Sequence, residues 1–169
     1  MSQHRYSMVT IFPPSRADIL ELAKNMREDD AEEVALINGM TPIDAIENSI
    51  QISTICYAMR MKNGPLLCIG GAVRYEPQDG KIMANVWELG TGEIDRNPVT
   101  FHSNARRGLR ILMRTLPEVD TFVNMIPAKN TRYARWIESL GGTFDPKPFN
   151  VRGEPVRLFR IHRKEAAHV

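Results

Sequence analysis

The feature that most constrains the fold is an amphipathic helix placed between two short strands. The segment Thr100–Leu116 carries apolar residues on one face and arginines on the other, and Pro117 stops it. Strands are predicted at 81–89 and 121–126. Because two strands joined by a helical crossover pair in parallel, this strand–helix–strand unit predicts one parallel pair within the sheet.

The rest of the chain predicts hairpins and three more helices. Asn63-Gly64 and Asp79-Gly80 favour tight turns between antiparallel strands. The acidic run Glu28–Glu33 is expected to be a solvated loop or helix end. Further strands are predicted at 6–12, 54–61, 66–75, 143–149 and 156–162, and helices at 16–27, 42–53 and 130–140. The order βααβββαβαββ predicts an α/β (α+β) fold with a mixed, mainly antiparallel seven-stranded sheet and four helices.

Length and composition place this architecture in one domain. The chain has 169 residues, of which 43% are hydrophobic and 25% charged, as is typical of globular proteins. We expect residues 1–163 to form the domain and 164–169 a flexible tail. No apolar run approaches the ~20 residues of a membrane span, and the polar N-terminus has no signal-peptide core. Cys56 and Cys68 are too few for a disulfide scaffold, and no cluster has metal-site spacing.

Charge is distributed unevenly, which favours an anionic ligand in the second half of the chain. Residues 1–84 hold 8 Lys/Arg and 11 Asp/Glu, whereas residues 85–169 hold 14 and 9. The start of the long helix is a ready phosphate site, because free N–H groups and the positive dipole end attract anions. A solvated basic helix face is the alternative. The candidate ligands are Ser103, Asn104, Arg106 and Arg107.

Two residues of the chain could carry proton transfer. Glu88 lies on the strand that leads into the site and could act as a general base if it is partly buried. A strand-edge ion pair is the alternative for Glu88. Tyr133 could donate a proton, or it could be a packed helix residue without a catalytic role. The four histidines are scattered in the sequence, and nothing supports a Ser/His/Asp triad.

In its order of elements the chain resembles the GNAT superfamily of N-acetyltransferases. That family opens the helix after its fifth strand with N-x-x-x-A-x-x-x-x-x-x-G, a pattern that Asn130, Ala134 and Gly141 reproduce. The resemblance implies that acetyl-CoA binds between the parted fourth and fifth strands, with its pyrophosphate on the helix between them and with Asn130 as a further ligand. It also implies that Leu89 and Gly90 supply backbone donors to the thioester carbonyl.

One loop and two single positions depart from the pattern of that family. Its pyrophosphate loop, [QR]-x-x-G-x-[GA], has no counterpart in residues 101–108. The Tyr that often follows the Asn by seven residues is Ile137 here, and the Phe after the closing Gly is Gly142. The resemblance is therefore closer for the fold than for the catalytic residues.

A narrower resemblance is to the GNAT-like internal virion protein A of short-tailed bacteriophages. The matching stretches are 64–71, 86–91, 105–107, 130–144 and 158–162. This resemblance implies a phage protein that is found in the host bacterial cytoplasm or in the virion. It implies a phage virion protein or a host protein as the partner.

These observations leave three functions open. An acetyl-CoA-dependent N-acetyltransferase acting on an amine of a host or phage protein predicts an open slot between strands 81–89 and 121–126, with free N–H groups. A non-catalytic virion or assembly protein predicts that side chains such as Phe101 or Met125 fill the slot. Direct nucleic-acid binding rests only on the arginine stripe of the long helix.

Overall fold

Eight strands and seven helical segments are present in a computed structural model that describes residues 9–77 and 79–166. The strands are β1 (Val9–Phe12), β2 (Ile55–Met61), β3 (Leu66–Tyr75), β4 (Met83–Gly90), β5 (Thr121–Pro127), β6 (Gly142–Phe144), β7 (Phe149–Val151) and β8 (Glu154–His162). The helical segments are α1 (Arg16–Asn25), α2 (Glu28–Asn38), α3 (Pro42–Ile52), α4 (Glu93–Arg96), α5 (Pro98–Thr115), α6 (Thr131–Ser139) and α7 (Arg163–Ala166).

The strands form one sheet in the order β1-β2-β3-β4-β5-β8-β6, with β7 also paired to β8. Among the described strands, only β4 and β5 run parallel, and every other pair is antiparallel. The helix α5 makes the crossover between the two parallel strands. The predicted parallel pair and the mixed, mainly antiparallel α/β architecture are therefore confirmed.

Helices cover both faces of the sheet, so β3 is buried at seven consecutive positions from Leu66 to Ala72. One apolar cluster lies under α1, α2 and α3, and a larger one lies under α5 and α6. Leu22, Ile46 and Ile69 are fully buried in the first cluster, and Leu112, Phe122 and Ile137 are buried in the second. No helix in the described part of the chain is long and apolar enough to cross a bilayer.

The acidic segment that was predicted to be a loop or helix end instead forms α2. Its buried face carries Asp30 and Val34, four residues apart, and Gly39 ends the helix with a φ of 67°. A residue without a side chain adopts this left-handed conformation without strain. Helical spacing and the glycine stop were therefore the stronger signals, and the density of charge was misleading.

Other boundaries differ for identifiable reasons. The predicted strand 143–149 is divided into β6 and β7, because Pro146 and Pro148 have no N–H for a strand ladder. The long helix begins at Pro98 rather than Thr100, since proline is favoured in the first helical turn. Positions 6–8 of the predicted first strand, and residues 167–169 of the predicted tail, lie outside the described residues. The division into a domain and a flexible tail stays a prediction.

Candidate active site

The parallel strands β4 and β5 part after only three paired positions. Residues 83–85 pair with 121–123, after which β4 continues along β3 and β5 continues along β8. The carboxyl ends of both strands therefore border a gap in the sheet. Ligands in open α/β sheets commonly bind at such a point.

The side chain of Asn124 lies at the vertex of this gap. Its Nδ2 donates to the carbonyl oxygen of Val86 at 2.8 Å, and its Oδ1 accepts from the N–H of Met125 at 2.8 Å. In an unbroken parallel ladder that N–H would donate to that carbonyl. The amide of Asn124 thus satisfies both backbone groups and takes the place of the next ladder bond.

Glu88, the predicted general base, lies at the gap beyond this vertex. It borders an inner cavity of about 60 Å3 on the α5 and α6 side of the sheet. Burial raises the pKa of Glu88 to about 7, although Arg27 and hydrogen bonds from Cys68 and Tyr57 favour its ionised form. A carboxyl that titrates near neutrality is suited to accept a proton from an amine and to release it again.

Tyr133, the predicted proton donor, borders the same cavity from the first turn of α6. The side chain of Asn130 caps this helix by accepting from the N–H of Tyr133 at 3.1 Å. Burial and the nearby Glu88 raise the pKa of Tyr133 well above its ordinary value, so its hydroxyl stays protonated. The ring of Trp136 contacts those of Tyr133 and Phe101, with centroids 4.7 and 5.4 Å away.

An outer pocket of about 300 Å3 lies on the other side of these aromatic rings. Tyr133 and Trp136 line both this pocket and the inner cavity. The N-terminal ends of α5 and α6 meet at the outer pocket, and Asn130 lines it. Its charged lining is mainly basic and consists of Arg27, Arg132, Arg135 and Asp29, with His102 and Tyr133 as further titratable groups. Two helix N-termini together with basic side chains make a suitable environment for phosphate groups.

The predicted phosphate ligands on α5 lie outside the lining of that pocket. Ser103 donates to the carbonyl of Val99, and the fully buried Asn104 donates to that of Thr100. Arg106 donates weakly to the carbonyl of Ser139 at 3.4 Å, and Arg107 is exposed. Because α5 begins two residues earlier than predicted, these positions fall in its second and third turns. Their assignment as cofactor ligands stays a prediction.

The predicted thioester donors lie at the end of β4, beside a buried ion pair. The N–H of Gly90 donates to Asp30 at 2.6 Å, and its carbonyl accepts from the N–H of Arg27 at 2.9 Å. The predicted free N–H groups are therefore absent at Gly90. Leu89 is buried, with its side chain in the cluster under α1–α3. Phe101 and Met125, the predicted filling side chains, do not line the inner cavity.

Sequence reasoning missed three functional candidates at the start of α2, namely Arg27, Asp30 and Glu33. Arg27 and Asp30 are joined at 2.6 Å, with side chains only 9% and 6% exposed. Burial alone would lower the pKa of Arg27, but Asp30 raises it above its ordinary value. The guanidinium also lies 5.8 Å from the centre of the Tyr133 ring. The missed signal was the helical spacing that placed these residues on a buried face.

The fold is that of the GNAT N-acetyltransferases. A spermidine N-acetyltransferase from Vibrio cholerae, in complex with CoA and spermine, is 12% identical to this chain, with a TM-score of 0.69 over 95% of this chain and 99% of its own. A proposed phosphinothricin N-acetyltransferase is 14% identical, with a TM-score of 0.66 over 91% and 98% of the two chains.

At these identities the similarity establishes the fold alone. No protein-family model matches the sequence, and no curated protein matches it. In residues 9–77 and 79–166, no group of three or more His, Cys, Asp or Glu side chains could hold a metal ion.

Proposed function

We propose that this protein is an acetyl-CoA-dependent N-acetyltransferase in which Glu88 is the general base. The observation that carries the proposal is the location of Glu88. This carboxyl, with a pKa of about 7, borders the gap between β4 and β5, beside a pocket formed by two helix N-termini. A relative with the same fold binds CoA, and the outer pocket is the region of this chain whose charge suits phosphate groups.

The residues of the outer pocket fit acetyl-CoA at its phosphate end. Arg132, Arg135 and His102 would bind the phosphates, and Asn130 would hold the start of α6 in place. Arg132 also pairs with Asp95 at 2.6 Å, so its guanidinium is already oriented at the rim of the pocket. When bound, acetyl-CoA would supply an acetyl group activated as a thioester.

The proton balance assigns complementary roles to Glu88 and Tyr133. An ammonium acceptor loses two protons when it becomes an amide: one finishes on the thiol of CoA, and the other goes to solvent. Glu88 would accept a proton from the acceptor so that its nitrogen lone pair can form the new N–C bond. Tyr133 would donate a proton to the sulfur as the C–S bond breaks. One of the two protons lost by the acceptor would replace the proton that Tyr133 gave up, and the other would pass from Glu88 to solvent.

Calorimetric titration with acetyl-CoA tests the proposal. We expect micromolar binding by the wild type and at least about tenfold weaker binding by Arg132→Ala/Arg135→Ala, which loses two charge-assisted contacts. The matched control is Arg106→Ala/Arg107→Ala, which removes two arginines of α5 outside the pocket. If acetyl-CoA instead binds more weakly to the control variant, the phosphate site lies on the arginines of α5. Absence of binding by the wild type at millimolar acetyl-CoA would contradict the proposal.

A non-catalytic GNAT-fold protein is the second candidate, and the closure around Gly90 favours it. The ion pair of Arg27 and Asp30 fixes the end of β4, and its N–H already has a carboxylate partner. In this case the fold would serve as a scaffold for a protein partner. The same titration separates the candidates, because only the enzyme requires acetyl-CoA to bind.

We also propose an origin, a location and a partner for the protein, and this proposal rests on short stretches of sequence alone. The resemblance to internal virion protein A favours a bacteriophage origin, a host-cytoplasmic or virion location, and a virion or host protein as the partner. Mass spectrometry of purified virions tests the virion location. Nucleic acid as a partner predicts binding that weakens steeply with salt.

A further inference from the structure

A row of three directly opposite residues crosses β2, β3 and β4 and ends at Glu88. Tyr57 is the cross-strand partner of Gly70, and Gly70 is the partner of Glu88. Directly opposite residues point to the same face of a sheet. For this row it is the face under α5 and α6, where Tyr57 belongs to the larger apolar cluster. Because the middle residue is a glycine, no side chain of the row separates Tyr57 from Glu88.

The phenol of Tyr57 lies over Gly70 and reaches the carboxyl of Glu88. The two residues are two strand spacings apart, about 9–10 Å. A Cβ atom on Gly70 would lie 3.1 Å from the hydroxyl oxygen of Tyr57 and 3.2 Å from its Cζ. The hydroxyl forms a hydrogen bond with the carboxyl of Glu88. The side chain of Tyr57 therefore spans the middle strand, β3.

A second glycine, Gly108 on α5, makes room for the same hydroxyl from the helix side. A Cβ atom on Gly108 would lie 2.7 Å from the hydroxyl oxygen of Tyr57, closer than side chains approach one another. Glycine inside a helix is unfavourable relative to alanine. Neither Gly108 nor Gly70 has the positive φ that favours glycine. The space that Tyr57 occupies therefore explains both glycines, and backbone conformation does not.

Other titratable or charged groups also surround the carboxyl of Glu88. Burial, and secondly Glu88, raise the pKa of Tyr57 well above its ordinary value, so its hydroxyl remains a donor. Cys68 on β3 is a second donor to the carboxyl, but a thiol is a weaker donor than a phenol. Glu33 lines the inner cavity and, with Glu88, a groove of about 440 Å3 under α2 and α3. The nearby groups further include Arg27 and Asp30 on α2 and Tyr133 on α6.

We propose that Tyr57 is a positioning residue, whose hydroxyl holds the carboxyl of Glu88 at the gap from a slot made by Gly70 and Gly108. The consequence for catalysis rests on the proposed acetyltransferase function, whereas the contact itself does not require acetyl-CoA. A carboxylate can accept about four hydrogen bonds, so the held carboxyl keeps lone pairs for the proton of an acceptor. The hydrogen bond also stabilises the ionised form, which is the form that acts as a base.

Carbon-13 NMR of the glutamate carboxyls tests this proposal on the protein without acetyl-CoA. The resonance of Glu88 is assigned by its loss in Glu88→Gln, and its shift is followed with pH. Tyr57→Phe keeps the ring and removes only the hydroxyl. We expect the acid dissociation constant of Glu88 to fall at least about tenfold in this variant, because the ionised carboxyl loses a charge-assisted hydrogen bond.

The matched control is Tyr75→Phe, which removes the hydroxyl of an exposed tyrosine on β3 and should leave the titration of Glu88 unchanged. An unchanged titration in Tyr57→Phe, or an equal change in both variants, would overturn the proposal.

The variant Gly108→Ala tests the slot independently of any change to the tyrosine. Its new methyl group should displace the hydroxyl of Tyr57 and so lower the acid dissociation constant of Glu88. The same substitution should have little further effect in the Tyr57→Phe background, where the hydroxyl is already absent. Equal effects of Gly108→Ala in the two backgrounds would overturn the proposal, since the change would not act through the hydroxyl.

Calorimetry with acetyl-CoA on the same samples keeps the two proposals distinguishable. Acetyl-CoA binding together with a Glu88 titration that does not depend on Tyr57 would overturn the positioning role and leave the acetyltransferase proposal intact. A Glu88 titration that depends on Tyr57, without acetyl-CoA binding by the wild type, would support the contact and contradict the enzyme.

Discussion

The two sides of the gap between β4 and β5 differ in charge. The outer pocket at the starts of α5 and α6 is lined mainly by basic side chains, whereas the groove under α2 and α3 is lined by two acids and no base among the described residues. Glu88 borders the groove, and the aromatic rings of Tyr133 and Trp136 border the outer pocket. The difference shows that the two sides of one break in a sheet can have different electrostatic environments.

The separation of charge depends on the buried pair that lies between the two sides. Arg27 lines the basic pocket, and Asp30 ties it to α2 and to the end of β4. The charges of Arg27 and Asp30 compensate each other. The positive charge of the outer pocket therefore comes from its exposed arginines, and Glu33 is an acidic residue of the groove. Predictions that alter one side alone therefore test whether the two sides are independent.

Loss of the buried ion pair between the two sides should reduce the free energy of unfolding most strongly. Asp30→Ala leaves the buried guanidinium of Arg27 and the N–H of Gly90 without their partner. Removal of one member of a buried ion pair costs about 3–5 kcal/mol of unfolding free energy. Urea unfolding measures this loss. The control is Glu47→Ala, which removes an exposed partner of Arg16 and should cost less than about 1 kcal/mol.

Removal of the proposed base should affect both sides of the gap, because Glu88 borders the inner cavity and the groove. Glu88→Gln should lower the rate of acetyl transfer by about 10²–10⁴-fold and leave acetyl-CoA binding unchanged. The wild-type kcat/KM should rise as pH increases through about 7, where Glu88 loses its proton, and then level off. A profile without this rise, or a variant with wild-type turnover, would remove Glu88 from the mechanism.

The carboxyl of Glu33, on the groove side of the gap, should lower the free energy of unfolding as pH rises. Burial raises the pKa of Glu33 to about 8, so the folded state keeps a proton that the unfolded state loses near pH 4.5. The contribution of this group to stability is therefore full below about pH 4.5 and is lost as pH rises toward 8.

Glu33→Gln removes this titration. A pKa difference of one corresponds to about 1.4 kcal/mol, so at pH 8 the variant should be more stable than the wild type by more than about 1 kcal/mol. The gain should shrink toward pH 5. Urea unfolding at both pH values measures it, with Glu32→Gln as the control. Equal stability at both pH values would show that Glu33 is well solvated in the folded protein.

Replacement of a helix-capping side chain should have the smallest effect on stability. Two caps can be compared, only one of which lies at the gap. Ser15 caps α1 and Asn130 caps α6, each by accepting from a backbone N–H. Replacement of either by Ala should cost about 1 kcal/mol in urea unfolding. Only Asn130→Ala should also weaken acetyl-CoA binding in calorimetry. Equal acetyl-CoA binding by both variants would confine Asn130 to a structural role.

Local patterns predicted the fold better than the site. The amphipathic pattern of α5 was enough to predict the parallel crossover. The turns at Asn63-Gly64 and Asp79-Gly80 were enough to predict the hairpins. Glu88 and Tyr133, the two residues predicted for proton transfer, both border the inner cavity, and their catalytic roles stay predictions. The roles of Arg27, Asp30 and Glu33 could not be predicted from composition, because they depend on which face of α2 packs against β4.

Asn124 also explains why the depth of the gap is fixed. Its amide replaces one hydrogen bond of the ladder, so the strands cannot pair further at this point. They also cannot separate further without leaving the carbonyl of Val86 or the N–H of Met125 without a partner. The reach of the cleft is therefore encoded at one position of β5. An equivalent amide two residues earlier would lengthen the cleft by about 7 Å, since a strand rises about 3.3 Å per residue. Substrate size could in this way change through one polar substitution in a core strand.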